Sequence, residues 1–299
     1  MLNNKRFLGN RYTGLLYITP WIIGFIIFQL YPLIASLFYS FMDYRMFSEP
    51  EFTGLENYIY MITKDELFWH SLKVTSIYVL VSIPLKLVTA LVIALLLSKK
   101  LRFINFFRTV YYIPSIMGGS VAIAILWKAM FMKEGYVNSL LSLLSIPSVS
   151  WLGNPSVALY TLSFLVVWQF GSSMVLFLAG LKQIPSELYE AARVDGASGI
   201  KIFFSITLPQ LSPIIFFNLI MQIINAFQEF TGALVITDRG GPMNETYLYV
   251  LKIYDEGFRF FKMGYASALS WVLFLIILIF TALIFKSSSG WVYYEDGGK

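Results

Sequence analysis

Glu190-Ala191-Ala192-Arg193-Val194-Asp195-Gly196-Ala197, running on to Ile206-Thr207-Leu208-Pro209, decides how this chain is read. The stretch is charged and rich in small residues, and it lies between two long apolar runs, 158–178 and 213–236. Pro185 suits a first helical turn, and Glu187 lies near the positive end of the helix dipole. Leu188, Ala191 and Ala192 fall at i, i+3 and i+4 and form one small apolar face, with Glu187, Glu190 and Arg193 elsewhere on the helix. Gly196 stands where a left-handed residue stops a helix without steric cost. Ser198 is placed to cap a second helix that carries Ile202, Phe203, Phe204 and Ile206 back toward the apolar run, and Pro209 and Pro213 mark the re-entry. A capped helix–turn–helix where a plain loop would suffice is either a docking element or a connector. Its alanines leave room for another backbone to approach.

The composition places this elbow in a membrane protein. Of the 299 residues 58% are hydrophobic, 18% aromatic and only 13% charged, whereas a soluble domain carries about 25% charge. Without cysteine no disulfide framework or thiol-ligated metal site is available, and a single histidine, His70, excludes a histidine metal cluster. Six stretches, 15–38, 74–97, 110–130, 158–178, 213–236 and 265–285, meet the requirement of roughly 20 apolar residues for a span. Each is expected to be a helix, since an open strand would leave backbone groups unpaired in lipid. The first run is too long for a signal peptide and has no small-residue cleavage pattern after it, so it is expected to stay.

An even number of spans puts both termini on one side, and charge says which. Lys5, Arg6, Arg11, Lys99, Lys100, Arg102, Arg108, Lys182, Arg193, Lys201, Lys286 and Lys299 fall on the side of the termini. Arg45, Lys64, Lys73, Lys128, Lys133, Arg239, Lys252, Arg259 and Lys262 fall opposite. The twelve-to-nine excess, concentrated near span ends, predicts cytoplasmic termini. The pI of about 9.1 is thus a topology signal, and a nucleic-acid role has no support. On the other side, 41–71, 131–156 and 237–263 form an outer rim. It contains turn clusters at Trp151-Leu152-Gly153-Asn154-Pro155 and Arg239-Gly240-Gly241-Pro242, and an amphipathic helix around 247–258.

The elbow resembles the signature loop of binding-protein-dependent ABC importer permeases: Glu-Ala-Ala, three residues, Gly, nine residues, Ile, one residue, Leu-Pro. Glu190-Ala191-Ala192, Gly196, Ile206 and Leu208-Pro209 match it at every spacing, and Asp195 and Ala197 resemble the carbohydrate (maltose/glycerol-phosphate-type) branch. Thr19-Pro20-Trp21, Tyr31-Pro32, Ser40-Phe41, Gly54-Leu55-Glu56-Asn57-Tyr58, Phe107-Arg108-Thr109 ahead of Pro114, and Trp151-Leu152-Gly153 are similar to that branch as well. Thr237-Asp238-Arg239-Gly240-Gly241-Pro242 resembles its Thr-x-Gly-Gly-Pro turn, with Arg239 where glycine is frequent. The resemblance implies an all-α integral membrane protein of six transmembrane helices with the type I importer permease fold. Its segments would be 1–70 (first helix and outer loop), 71–285 (permease core) and 286–299 (cytoplasmic tail). It further implies a multi-pass protein of the bacterial cytoplasmic membrane that is not itself an enzyme. Its partners would be a second related permease, two copies of a cytoplasmic ATPase subunit that carries the ATP and magnesium, and an extracytoplasmic binding protein that delivers a carbohydrate; a homodimer of the permease is the alternative. By the same resemblance Glu190, Ala191, Ala192, Asp195, Gly196 and Ala197 form the coupling helix that sits in a groove of the ATPase, and Leu208 and Pro209 return the chain to the core. No Gly-x-x-x-x-Gly-Lys-[Ser/Thr] phosphate loop is present, so ATP hydrolysis falls to another subunit.

Ionisable groups inside spans are expensive and face the bundle interior. Lys86 is near the centre of 74–97, and Glu229 lies in 213–236 beside Gln228 and at i+4 from Asn225, so that Asn225 and Glu229 share a helical face. Together with Gln169, beside Trp168 and Gly171, these residues either line a substrate path or bond to neighbouring helices or a second permease. Phe227 and Phe230 are placed to stack on a sugar. Trp21, Tyr31, Tyr111, Tyr112, Trp127, Trp168 and Trp271 read as interfacial anchors at span ends. A secondary transporter is a rival reading, but it would not need the elbow and would show internal repeats. A membrane enzyme would bring its polar residues into a nucleophile–base or metal set.

Overall fold

The computed structural model describes residues 13–99 and 102–293. Lys5, Arg6, Arg11, Lys100 and Lys299, on which part of the orientation argument rests, lie outside them. Helices dominate. Those of the first part of the chain are α1 (Thr13–Phe25), α2 (Tyr31–Tyr39), α3 (Glu56–Thr63), α4 (Glu66–Ser98), α5 (Ile104–Ile116), α6 (Val121–Phe131) and α7 (Tyr136–Leu143). There follow α8 (Pro155–Trp168), α9 (Gly171–Leu181), α10 (Ser186–Val194), α11 (Gly199–Ile202), α12 (Leu208–Phe227), α13 (Thr231–Val235), α14 (Tyr249–Tyr254) and α15 (Met263–Ser288). Two short strands, β1 (Met42–Asp43) and β2 (Glu51–Phe52), pair antiparallel with Met42 opposite Phe52.

Among the described residues four helices are long and apolar enough to cross a membrane: Tyr17–Tyr39, Glu66–Ser98, Gly199–Val235 and Met263–Ser288. Two bent pairs pass the same test when each is counted as one span, so the helices supply four to six spans. The pairs show that two of the expected spans are each made of two helices. Over 110–130 the chain breaks between α5 and α6 and turns by 101°, because Gly118-Gly119 interrupts the helix and Gly119 takes φ +75°, the left-handed region that favours glycine. Over 158–178 a 44° bend separates α8 from α9. Gly171 starts α9 there because a Cβ would overlap the carbonyl of Tyr111 on α5. Within 131–156, read as loop, α7 is a helix whose Asn138 ties the segment together. Its Nδ2 donates to Lys133 O (3.0 Å) and Val149 O (2.9 Å), and its Oδ1 accepts from the N–H of Val149 and of the Trp151 indole (both 3.0 Å).

The described chain forms two compact units, one gathering the chain up to Lys64 with Ile253–Trp271, the other Asp65–Lys252 with the chain from Val272 onward. In the first, α1 passes into α2 through a widened turn, Ile26–Leu30, in which Tyr31 N–H reaches Ile26 O just before Pro32. The Gly54-Leu55-Glu56-Asn57-Tyr58 turn has a visible task. Asn57 Nδ2 donates to Ser40 O (3.0 Å) and Met42 O (2.9 Å), and the Tyr58 hydroxyl to Ser40 Oγ (2.8 Å). Trp271 donates its indole N–H to Ser36 Oγ at 3.1 Å.

In the second unit α4 packs against α8, α9 and α12. Its buried stripe alternates large residues with Ser71, Thr75, Ser82, Ala90 and Ala94, small enough for close helix approach where lipid offers no hydrophobic drive. α4 begins inside the stretch read as outer loop because Asp65 caps it, its Oδ1 accepting from Phe68 N–H at 3.0 Å. Asp65 also holds Lys252 Nζ at 2.7 Å, with the two side chains 8% and 1% exposed. The amphipathic helix expected around 247–258 is α14 continued through Asp255–Arg259, and it buries Tyr249, Leu251 and Lys252. Lys252, counted by sequence as an outer-rim charge, is in fact interior. Burial pushes the Tyr249 hydroxyl well above its ordinary range, the Asp65 charge adding to the effect, so it stays protonated. Trp127, read as interfacial, is buried instead against Phe131, Phe164 and Trp168, its indole donating to Thr161 O at 3.3 Å.

Asp65→Asn keeps a capping oxygen but removes the carboxylate from Lys252. Breaking a buried pair from one side costs about 3 kcal/mol, so the detergent-solubilised variant should melt clearly below wild type. Asp43→Asn, in the exposed Arg45 pair, should leave the midpoint in place.

Candidate functional site

The elbow is built as its residue types require. Pro185 takes the N-cap position, one place ahead of the first-turn position read from sequence, and α10 follows. Gly196 adopts φ +73°, Ala197 N–H bonds Ala192 O at 2.9 Å and Gly196 N–H bonds Arg193 O at 3.0 Å. These are the paired bonds of a Schellman stop, which satisfies the last carbonyls of α10. Ser198 Oγ accepts from Lys201 N–H at 3.4 Å and opens α11. A widened turn, Phe203–Thr207, then carries α11 into α12 without a break; Leu208 N–H reaches Phe203 O, and Pro209, which has no N–H to give, is accommodated in the next turn. No residue from Pro185 to Ile200 is buried. Val194 is 88% and Ile200 75% exposed, so apolar surface faces outward from the tip. A bond of 3.2 Å between the Tyr189 hydroxyl and Thr207 Oγ1 fixes α10 to the base of α12.

The intramembrane candidates meet elsewhere. Lys86, Gln169, Asn225, Gln228 and Glu229 all line one cavity of about 420 Å³, with Tyr78, Ser115, Gly118, Gly119, Ser172 and Gln222. Three interruptions of helix converge on it: Gly118-Gly119 between α5 and α6, Gln169 at the end of α8, and Gln228-Glu229 after α12. Irregular backbone at membrane depth persists only where it is buried in protein or lines a wet cavity. The breaks therefore line a polar cavity, which is expected to be hydrated.

The reason given in sequence for grouping Asn225 with Glu229 does not hold. α12 ends at Phe227, so the i, i+4 face does not continue to Glu229; the break itself turns both residues into the same cavity. Glu229 has a structural task too, because its Oε1 accepts Gly232 N–H at 2.8 Å and so caps α13. Phe227 is 2% exposed against Phe280, and neither it nor Phe230 lines the cavity. Tyr78 is the aromatic residue that does. Sequence reasoning passed over Tyr78, Gly118 and Gly119. The signals were the i, i+8 relation of Tyr78 to Lys86 on one helix and a glycine pair inside an apolar run.

A second cavity, of about 430 Å³, joins the two turn clusters. Trp151, Leu152 and Gly153 line it with Thr237, Asp238, Gly241 and Pro242, and Lys128 pairs with Asp238 at its edge. Arg239 takes φ +68°, so the place where glycine is frequent in the related turn is a left-handed one that this chain fills with arginine.

Since the chain has no cysteine, single cysteines report on the inner cavity directly. Asn225→Cys and Gln228→Cys should react with a hydrophilic maleimide, whereas Leu80→Cys, on the exposed face of α4, should stay unlabelled in membranes. Reaction of all three at one rate would remove the hydrated cavity.

The family described as binding-protein-dependent transport system inner membrane component matches residues 75–292. A probable ABC transporter permease, YesP of Bacillus subtilis, is 50% identical over 95% of this chain and 92% of its own. The arabinooligosaccharides transport system permease AraP, also of Bacillus subtilis, is 33% identical over 91% of this chain and 87% of its own. Among solved structures, a chain of the bacterial alginate ABC transporter in complex with its alginate-pentasaccharide-bound periplasmic protein superposes with a TM-score of 0.77 at 22% identity, covering 92% of this chain and 94% of that one.

Proposed function

Because the chain belongs to the binding-protein-dependent transport system inner membrane components, the multi-pass permeases of ABC transporters, we propose that it forms half of the translocation path of an ATP-driven carbohydrate importer. The observation that carries this reading is the polar cavity at the convergence of three helix breaks. It offers amides, hydroxyls and two charges within a lipid-facing bundle, the donors and acceptors that a hydroxyl-rich solute needs. Relatives named for arabinooligosaccharide transport support the substrate class.

In this reading each bent pair counts as one span, giving six with both termini cytoplasmic. Glu190, Ala191, Ala192, Asp195, Gly196 and Ala197 then form a coupling helix for a separate ATPase subunit, where ATP and magnesium are bound, and Leu208-Pro209 joins that helix to the core. The exposed apolar tip at Val194 and Ile200 supports this role, since such surface on a cytoplasmic elbow suits a protein groove. Asn225, Gln228, Glu229, Lys86 and Gln169 line the path. A second related permease supplies the other half, and an extracytoplasmic binding protein docks at the outer rim, where the two turn clusters border a cavity.

Pull-down of the tagged chain from its host in mild detergent should bring an ATPase and a second permease; recovery of the chain alone would count against an importer. Gly196 meets nothing within 4 Å of an added Cβ, so a substitution there acts through backbone strain and not through a clash. Valine in the left-handed region costs about 1–2 kcal/mol, which corresponds to about a five- to thirtyfold loss of correctly formed elbow. Gly196→Val should therefore lose uptake while remaining in the membrane, and Gly196→Asn, which tolerates that region, should retain most of it. Equal uptake by the two variants would separate the elbow from coupling.

A further inference from the structure

The cavity contains a cation that the described protein leaves unmatched at short range. Lys86 is 7% exposed, and among the described residues no carboxylate stands within ion-pairing distance of its ammonium. Glu229 acts on it electrostatically from farther away. That carboxylate is held by backbone, accepting the N–H groups of Gly232 and Phe230, and could close on Lys86 only by uncapping α13. On the same wall of α4, Tyr78 is 0% exposed and its hydroxyl has no hydrogen-bond partner among the described residues. Residues 78, 82 and 86 stand at i, i+4 and i+8, so the Cα atoms of Tyr78 and Lys86 lie about 12 Å apart along the helix axis and their long side chains line the same cavity. Ser82, between them, gives its hydroxyl to Tyr78 O at 2.6 Å and is not available. The α4 wall therefore presents two uncommitted donors, one of them charged. The facing amides of Asn225, Gln228 and Gln169 both donate and accept.

A neutral hydroxyl placed at Lys86 would leave the ammonium without a counter-ion at hydrogen-bond distance. A carboxylate matches it in charge and accepts charge-assisted hydrogen bonds on two oxygens. A phosphate dianion fits less well, because a single ammonium with Glu229 nearby would leave its second charge unmatched. We propose that Lys86, with Tyr78, receives a carboxylate of the transported saccharide, so that the substrate of this permease is an acidic, uronic-acid-containing oligosaccharide. Glu229, capping α13 in the same cavity, repels that carboxylate from its own end and accepts from sugar hydroxyls, which orients the chain of the sugar. The inference rests on the carbohydrate-importer reading above and adds the charge of the substrate.

The test uses the whole transporter, with partner permease, ATPase and binding protein, in proteoliposomes. The probes are a uronic-acid trisaccharide and the same trisaccharide with its carboxyl groups reduced to alcohols. Each variant is compared with wild type using the same binding protein, so that protein's own preference cancels. Lys86→Met should lower uptake of the acidic probe about tenfold or more relative to the reduced one, the scale set by loss of a charge-assisted bond, and Lys86→Arg should keep the preference. In Lys86→Cys, aminoethylation of the thiol should restore acidic uptake while methylthiolation should not. Equal loss for both probes in Lys86→Met would make Lys86 a structural partner of another subunit's carboxylate and overturn the proposal. A preference untouched by Lys86→Met would overturn it as well. Import of neither probe nor any other saccharide by the wild type would instead overturn the carbohydrate reading on which the inference depends.

Discussion

Backbone N–H and C=O groups have no water to bond with in the hydrocarbon of a bilayer, and the arrangement of the larger unit follows from that constraint. A helix crossing lipid satisfies its own backbone, and each interruption exposes groups that need another partner. α4 runs 33 residues without interruption. The three helical paths that do break, at Gly118-Gly119, at Gln169 and after Phe227, break where they line one cavity. The cavity and the breaks are therefore one feature, in which polar side chains and interrupted backbone are gathered together.

The same helix that ends in the cavity begins at the elbow. From Gly199 through the widened turn at Phe203–Thr207 to Phe227 the chain is continuously helical, a rod of about 40 Å at 1.5 Å per residue. Tyr189 and Thr207 tie α10 to the base of that rod. A Cβ on Gly180 would overlap Ile214, so α9 and α12 lie in close contact higher up. In the proposed mechanism, a displacement of the elbow reaches Gln228 and Glu229 along a stiff element and changes the cavity wall there. A proposed coupling between elbow and cavity would thus need no flexible linker.

Charge in the structure has two distinct uses. Asp65 and Lys252 are buried together and fasten the start of α4 to α14, while Lys86 is held in the cavity without a close counter-ion among the described residues. Both lysines were visible as letters, yet only burial and partner distance separate a structural ion pair from a charge available to a solute.

Sequence alone determined the class of protein, the elbow and its stop at Gly196, and the polar residues that line one cavity. Each of these depends on local chemistry: apolar run length against bilayer thickness, the backbone freedom of glycine, and the cost of placing Lys86 or Glu229 in hydrocarbon. It did not reveal that the runs at 110–130, 158–178 and 213–236 are broken, that Lys252 is interior, or that Trp127 is packed in an aromatic cluster. Hydropathy averages over a window and does not register where a helix bends. Those outcomes depend on long-range contacts, such as Gly171 against the Tyr111 carbonyl or Asp65 against Lys252. Tertiary packing thus gathered scattered polar residues and interrupted backbone into one cavity, because those positions come together only when α4, α5, α8 and α12 pack.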